Sequence, residues 1–252
     1  MRGVRCLGKC SLKRSFSLFI SIVVLFLICV PPFARKSSHS FSQIMLYGPE
    51  TVVIDAGHGG EDGGAVSISG AIESRLNLSI AQRLDMIFGL YGINTMMLRN
   101  SDVSLHSPTA QTIREKKVSD LHNRVSTIES LKDPIVISIH QNTFPDRKYH
   151  GAQVFYANGD LSLPFAQITQ DLLRKTLDPN NARKPTVIPS TVYLMNHIHC
   201  KAILVECGFL SNPDEDILLQ SPQYQIKLAA SLAGAYIQYK QTTQEGESVN
   251  AS

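Results

Sequence analysis

The segment VVIDAGHGGEDGG, residues 52–64, constrains the fold more than any other stretch of the chain. Val52, Val53 and Ile54 form the uninterrupted apolar run expected of a strand buried on both faces, as in sheets covered by helices on each side. Gly57, Gly59 and Gly60 then let the backbone turn sharply and leave open space around His58. In open α/β sheets ligands bind beyond the carboxyl ends of the strands, so His58 stands where such a fold places its site.

Two further segments repeat this arrangement. Ile135, Val136, Ile137, Ser138 and Ile139 lead into His140, with Gln141 and Asn142 following; Ala202, Ile203, Leu204 and Val205 lead into Glu206, with Cys207, Gly208 and Phe209 following. Glu73 opens a segment whose apolar residues Leu76, Ile80, Leu84, Ile87 and Phe88 follow helical spacing. Two histidines and two glutamates at strand and helix ends suggest zinc, which in catalytic sites takes three nitrogen or oxygen ligands and keeps one position open. The remaining glutamate is then available as a base. Spacing alone does not decide which glutamate has which task.

At these residues the chain resembles the zinc-dependent N-acetylmuramoyl-L-alanine amidases of type 3. The resemblance spans roughly residues 51–240 and includes GHGGEDGGA, GAIESRLNL at 70–78, LRNSD at 98–102, SIHQN at 138–142 and LVECGFLSNPDED at 204–216. It implies His58, Glu73 and His140 as metal ligands, one zinc per chain, and Glu206 as the catalytic carboxylate. The implied reaction is hydrolysis of the amide between N-acetylmuramic acid and L-alanine in peptidoglycan. The short connection from 142 to 151 is unlike the family's cell-division members, which carry a long inhibitory insertion, and is more similar to the compact sporulation type that acts on spore cortex.

Each residue also has a plainer reading. Glu73 alone would be a first-turn acid favoured by the helix dipole. Glu206 after a wholly apolar strand would be costly to bury unpartnered, which favours a site. Arg99 and Arg124 recur in the family pattern but serve equally as ion-pair partners holding loops, and are left outside the site. Asn142 is assigned either a ligand-orienting or a turn-forming role. His197 and His199 alternate before the last core strand, a pattern read as altering the site rim or as neutral; His39, His106, His122 and His150 lie in polar stretches and read as solvated.

Arg2, Arg5, Lys9, Lys13 and Arg14 precede a mostly apolar run over 16–30, the charge-then-apolar order of an export signal. Residues 1–34 are therefore read as a signal peptide or membrane anchor, an uncleaved anchor being favoured because no Ala-x-Ala site follows. The catalytic part then faces outward, tethered to the membrane or secreted to the wall. Residues 35–47 are a linker, 48–240 the catalytic domain and 241–252 a disordered tail. Without the five leader cations, 19 basic and 21 acidic side chains remain, which removes the main support for nucleic-acid binding. Cys200 and Cys207 stand at the two ends of a strand, ~20 Å apart at ~3.3 Å per residue and beyond disulfide reach.

The coarse order of elements is strand 51–55, helix 73–89, strand 93–98, helix 118–131, strand 134–140, strand 151–156, helix 161–177, strand 202–206 and helix 224–240. This is a single α/β layered domain, a mostly parallel mixed sheet with helices on both faces. Polar stretches 101–117 and 178–190 are expected to wall a groove. The partners expected are peptidoglycan, the membrane through the N-terminal segment, and an envelope protein activator, because one domain without tryptophan or repeats has no second grip on a polymeric wall. Two alternatives stand beside the amidase reading: a zinc peptidase acting on wall peptides, and a non-catalytic wall-binding or regulatory protein of the same fold.

Overall fold

The computed structural model describes residues 50–250 apart from Asn158. The leader and linker assignments, and His39, lie outside the described residues. The chain order is β1 (Val52–Ala56), α1 (Glu73–Leu90), β2 (Thr95–Met97), α2 (Ile113–Glu129), β3 (Ile135–Asn142), β4 (Gln153–Tyr156), a 3-10 turn (Gly159–Leu161), α3 (Leu163–Leu177), β5 (Thr186–Val187), α4 (Tyr193–His197), β6 (Lys201–Phe209), α5 (Pro213–Gln220) and α6 (Pro222–Asn250). The six strands form one sheet in the order β2-β1-β3-β6-β4-β5. β2, β1, β3 and β6 run parallel, while β4 is antiparallel to β6 and carries β5 parallel to itself. This is the mixed, mostly parallel α/β sheet that the sequence predicts.

The apolar strand runs explain the layers. Alternate residues of β1, β3 and β6 face opposite ways. Ile54, Ile137, Ile203 and Val205 pack with α1, α3 and α6, through Leu84, Phe88, Phe165, Leu173, Leu228 and Tyr236 among others. Val53, Val136, Ala202 and Leu204 pack on the other face with Ile128 of α2 and Leu194 and Met195 of α4. Both faces are thus buried, and the parallel strands bring their carboxyl ends to one edge.

Several elements differ from expectation, and β5, α4 and α5 are not among those the sequence predicts. α2 begins at Ile113 and not at 118, because Thr112 and Glu115 form a reciprocal cap: Thr112 Oγ1 accepts from Glu115 N at 3.2 Å, and Glu115 Oε2 from Thr112 N at 3.0 Å. Its first turn is polar and Ile113 is exposed, so no apolar period marks it. β6 continues past Glu206 to Phe209, which brings Cys207 into the core. α6 runs on to Asn250 where a disordered tail was expected over 241–252; the Gln and Glu residues there are good helix formers and no proline intervenes.

Candidate metal centre

Beyond β1 the chain turns at once. His58 is left-handed (φ 62°), followed by Gly59 (φ 140°) and Gly60 (φ 60°). A left-handed backbone at a non-glycine residue costs roughly 1–2 kcal/mol, so surrounding contacts must hold it. Arg124 Nη2 donates to the His58 carbonyl at 2.9 Å. Arg99 clamps the same turn, with Nε donating to Ala56 O at 2.8 Å and Nη2 to Gly57 O at 3.0 Å.

His58 Nδ1 meets Asp62 at 3.0 Å, which turns Nε2 toward Glu73 Oε1 at 3.4 Å. His140, on β3, brings Nδ1 to the same oxygen at 3.2 Å. Donor atoms of His58, Glu73 and His140 all lie within 4.8 Å of one another, an arrangement that can hold a metal ion. The 3.2 and 3.4 Å separations match the edge, about 3.3 Å, of a tetrahedron with ligand bonds of ~2.0–2.1 Å.

Glu73 is fixed before any ion arrives. Oε2 accepts from Ala65 N at 2.8 Å, and Oε1 from Gln141 N at 3.1 Å and Asn77 Nδ2 at 3.3 Å. Burial opposes its charge, but hydrogen bonds from His140 and His58 outweigh it and hold the carboxyl well below the usual range. For His58, burial likewise disfavours the cation, yet Asp62 and Glu73 raise its pKa to about 9. These acids together favour positive charge between them.

Glu206 is set directly across from His140 by the β3–β6 register. It stands outside the three-residue cluster. Its Oε2 is buried with no hydrogen-bond partner, and burial lifts its pKa to about 7, His140 pulling down and Glu73 pushing up. A carboxyl group tuned to neutrality beside three converging donors is suited to moving a proton.

A sequence profile of the N-acetylmuramoyl-L-alanine amidases matches residues 52–238. The chain belongs to this amidase family. The germination-specific N-acetylmuramoyl-L-alanine amidase of Bacillus subtilis is 34% identical over 224 residues, covering 88% of this chain and 93% of the relative. Among solved structures, the CwlD amidase from Clostridioides difficile, in complex with the GerS lipoprotein, superposes with a TM-score of 0.74 at 32% identity over 77% of this chain and 99% of that one. The amidase AmiC2 of Nostoc punctiforme superposes with a TM-score of 0.65 at 25% identity, over 76% and 97%.

In this amidase the four glutamate and histidine positions singled out from the sequence converge at one sheet edge. Several supporting residues were not singled out. Asp62 stands four residues after His58 and orients its ring, as outer-shell carboxylates do at metal sites. Asp55 is buried between Arg124 and Ser138, whose Oγ donates to it at 2.6 Å, and Arg124 also binds Asp120 at 2.6 Å. Arg99 and Arg124, left outside the site, support the loop that presents His58. Asn142 is the last residue of β3, where the pairing with β6 shifts register, and its carbonyl accepts from Leu210 N at 2.8 Å.

The other candidates lie apart. His199 pairs with Glu129 at the amino end of β6, and His197 stacks on Tyr193. His106, read as solvated, is half-buried, with Nδ1 3.0 Å from Ser104 Oγ. Cys207 is buried on the sheet face opposite Glu206 and forms no disulfide with Cys200. Of the expected groove walls, 101–112 buttresses the glycine turn: Asp102 accepts from Gly60 N at 3.2 Å and Arg75 Nε at 3.3 Å.

Gly57 has no room for a side chain. A Cβ there would lie 2.2 Å from Cε1 and Nε2 of His140. Gly57→Ala is therefore expected to displace His140, weaken metal retention by at least ~10-fold and cost ~1–3 kcal/mol from overpacking. Metal titration and thermal unfolding of the variant check this; parent-like retention would mean that the ring relaxes without consequence.

Proposed function

We propose that this chain is a zinc-dependent amidase that hydrolyses the amide between N-acetylmuramic acid and L-alanine in peptidoglycan, acting in spore cortex. The reading is carried by one observation: the orphaned, buried Glu206 Oε2 opposite His140, beside a His58, Glu73 and His140 cluster with separations suited to a tetrahedral ion. Two imidazoles and one carboxylate form a known ligand set for catalytic zinc. Bound zinc supplies the charge that polarises a carbonyl and acidifies water.

The chain's own residues do the rest. Asp62 holds the His58 ring by Nδ1, and Gln141 N and Ala65 N fix the Glu73 carboxylate. Glu206 accepts the proton of the attacking water and delivers it to the departing L-alanine nitrogen. Its elevated pKa suits both halves of that transfer.

The cortex assignment is supported by the germination-specific relative and by the compact connection between β3 and β4. The Clostridioides difficile amidase was solved with a lipoprotein, which supports an envelope protein partner for this chain as well. Action on the wall requires an extracytoplasmic location, for which the N-terminal segment serves as signal or anchor. Among the described residues no helix is long and apolar enough to cross a membrane.

Metal removal tests the reading. Chelation is expected to abolish release of stem peptides from purified peptidoglycan, and one equivalent of zinc per chain to restore it. Full activity in thoroughly stripped protein would overturn the zinc assignment.

A further inference from the structure

We propose that Arg183 receives a free carboxylate of the leaving peptide, two to three residues beyond the scissile nitrogen; this rests on the amidase reading above. Gln153 of β4 stands directly opposite Glu206 in the antiparallel β4–β6 pair, so their side chains share one face of the sheet. Arg183, in the segment before β5, reaches Gln153 with its side chain. Its Nη1 donates to Gln153 Oε1 at 2.8 Å and its Nε to the His150 carbonyl at 3.0 Å, while the guanidinium lies over the Phe209 ring at 4.7 Å. Gln153 is itself fixed, with Nε2 donating to Thr186 Oγ1 at 3.2 Å and Lys184 O at 3.3 Å.

A guanidinium held by a carbonyl, an amide and a ring is oriented without being neutralised. Among the described residues Arg183 has no ion-pair partner, whereas Arg75, Arg124 and Arg174 each pair with an aspartate. Glu215, which feels the Arg183 charge, accepts instead from the Gly151 and Phe209 amides at 2.9 and 2.7 Å. An oriented, unneutralised guanidinium is a receptor for a carboxylate, which it binds by charge-assisted hydrogen bonds.

The spacing selects which carboxylate. Phe209, over whose ring the guanidinium lies, stands three residues beyond Glu206 on β6, ~10 Å at ~3.3 Å per residue, and an extended peptide advances the same ~3.3 Å per residue. Glu206 attends the scissile nitrogen, and Arg183 therefore meets an acidic group two to three residues downstream. Recognition there makes the enzyme selective for acidic over amidated stem peptides.

The test compares a muramoyl tripeptide carrying free carboxylates on its second and third residues with the same compound as carboxamides. Parent enzyme should show a KM ~10-fold lower for the acid at similar kcat, the effect of one charge-assisted hydrogen bond. Arg183→Gln should lose that preference while cleaving the carboxamide like the parent with unchanged zinc content, and Arg183→Lys should recover part of it. A parent enzyme without acid preference overturns the proposal whatever the variants do. So does an Arg183→Gln enzyme that keeps the preference or loses both substrates alike. Failure of the parent to cleave either compound would overturn the amidase reading, a distinct outcome.

Discussion

Glu206→Gln should keep its metal and lose hydrolysis by ~10²–10⁴-fold, the usual contribution of a general acid/base. Gln fills the same space opposite His140 but has no basic oxygen to take a proton from water. Glu206 lies outside the His58, Glu73 and His140 cluster, so zinc content is expected to match that of the parent. A variant that loses zinc along with activity would make Glu206 a ligand.

The same substitution has a second readout in metal-free protein. Burial raises the Glu206 pKa from an ordinary 4.5 to about 7, so the native state holds this proton where the unfolded chain has released it. Stability from this group is therefore fully present below about pH 4.5 and is lost as pH rises toward 7, by a few kcal/mol at most. His58, raised to about 9, loses its own contribution above its ordinary 6.5, while Glu73, with a depressed pKa, loses its share below 4.5. Denaturation of metal-free parent and Glu206→Gln between pH 4.5 and 7 should differ in slope, the variant lacking the decline. Parallel curves would show that the Glu206 proton is not held by burial.

His58→Ala and His140→Ala are expected to abolish stoichiometric zinc and reduce hydrolysis to background. Each removes a nitrogen lying 3.4 or 3.2 Å from Glu73 Oε1, and two donors cannot replace the three-donor set. Asp62→Asn should be milder, because Asp62 acts through the His58 ring: zinc affinity should fall by ~10–100-fold, as for other outer-shell carboxylates. Equal losses in all three variants would place Asp62 among the ligands. Zinc measured per chain after dialysis separates the outcomes.

The residues proposed to carry chemistry are legible in the sequence because they follow strongly patterned apolar runs or open a helix. The apolar runs of β1, β3 and β6 are each followed at once, or after the turn at Gly57, by a histidine or glutamate, although β3 and β6 themselves continue to Asn142 and Phe209. The residues that aim those groups were less legible. Arg124 reaches across 66 positions to the His58 carbonyl and 69 to Asp55, and no local period encodes such a hydrogen bond. Asp62 is closer, yet in a glycine-rich loop its spacing from His58 has no helix or strand to give it direction. Arg183 falls in a stretch whose sequence suggests only a groove wall, because its contact with Gln153, the residue opposite Glu206, depends on β4 running antiparallel to β6. The start of α2 was encoded locally, by Thr112 and Glu115, but an apolar period was the wrong signal for a helix whose first turn faces solvent.

The most direct test of the account is the identity of the ends created when the zinc-loaded chain digests purified peptidoglycan. Mass spectrometry is predicted to find free lactyl carboxyl groups on muramic acid and stem peptides with intact L-alanine amino termini, none of which appear with Glu206→Gln. New termini within the stem peptide or within the glycan strand would contradict it.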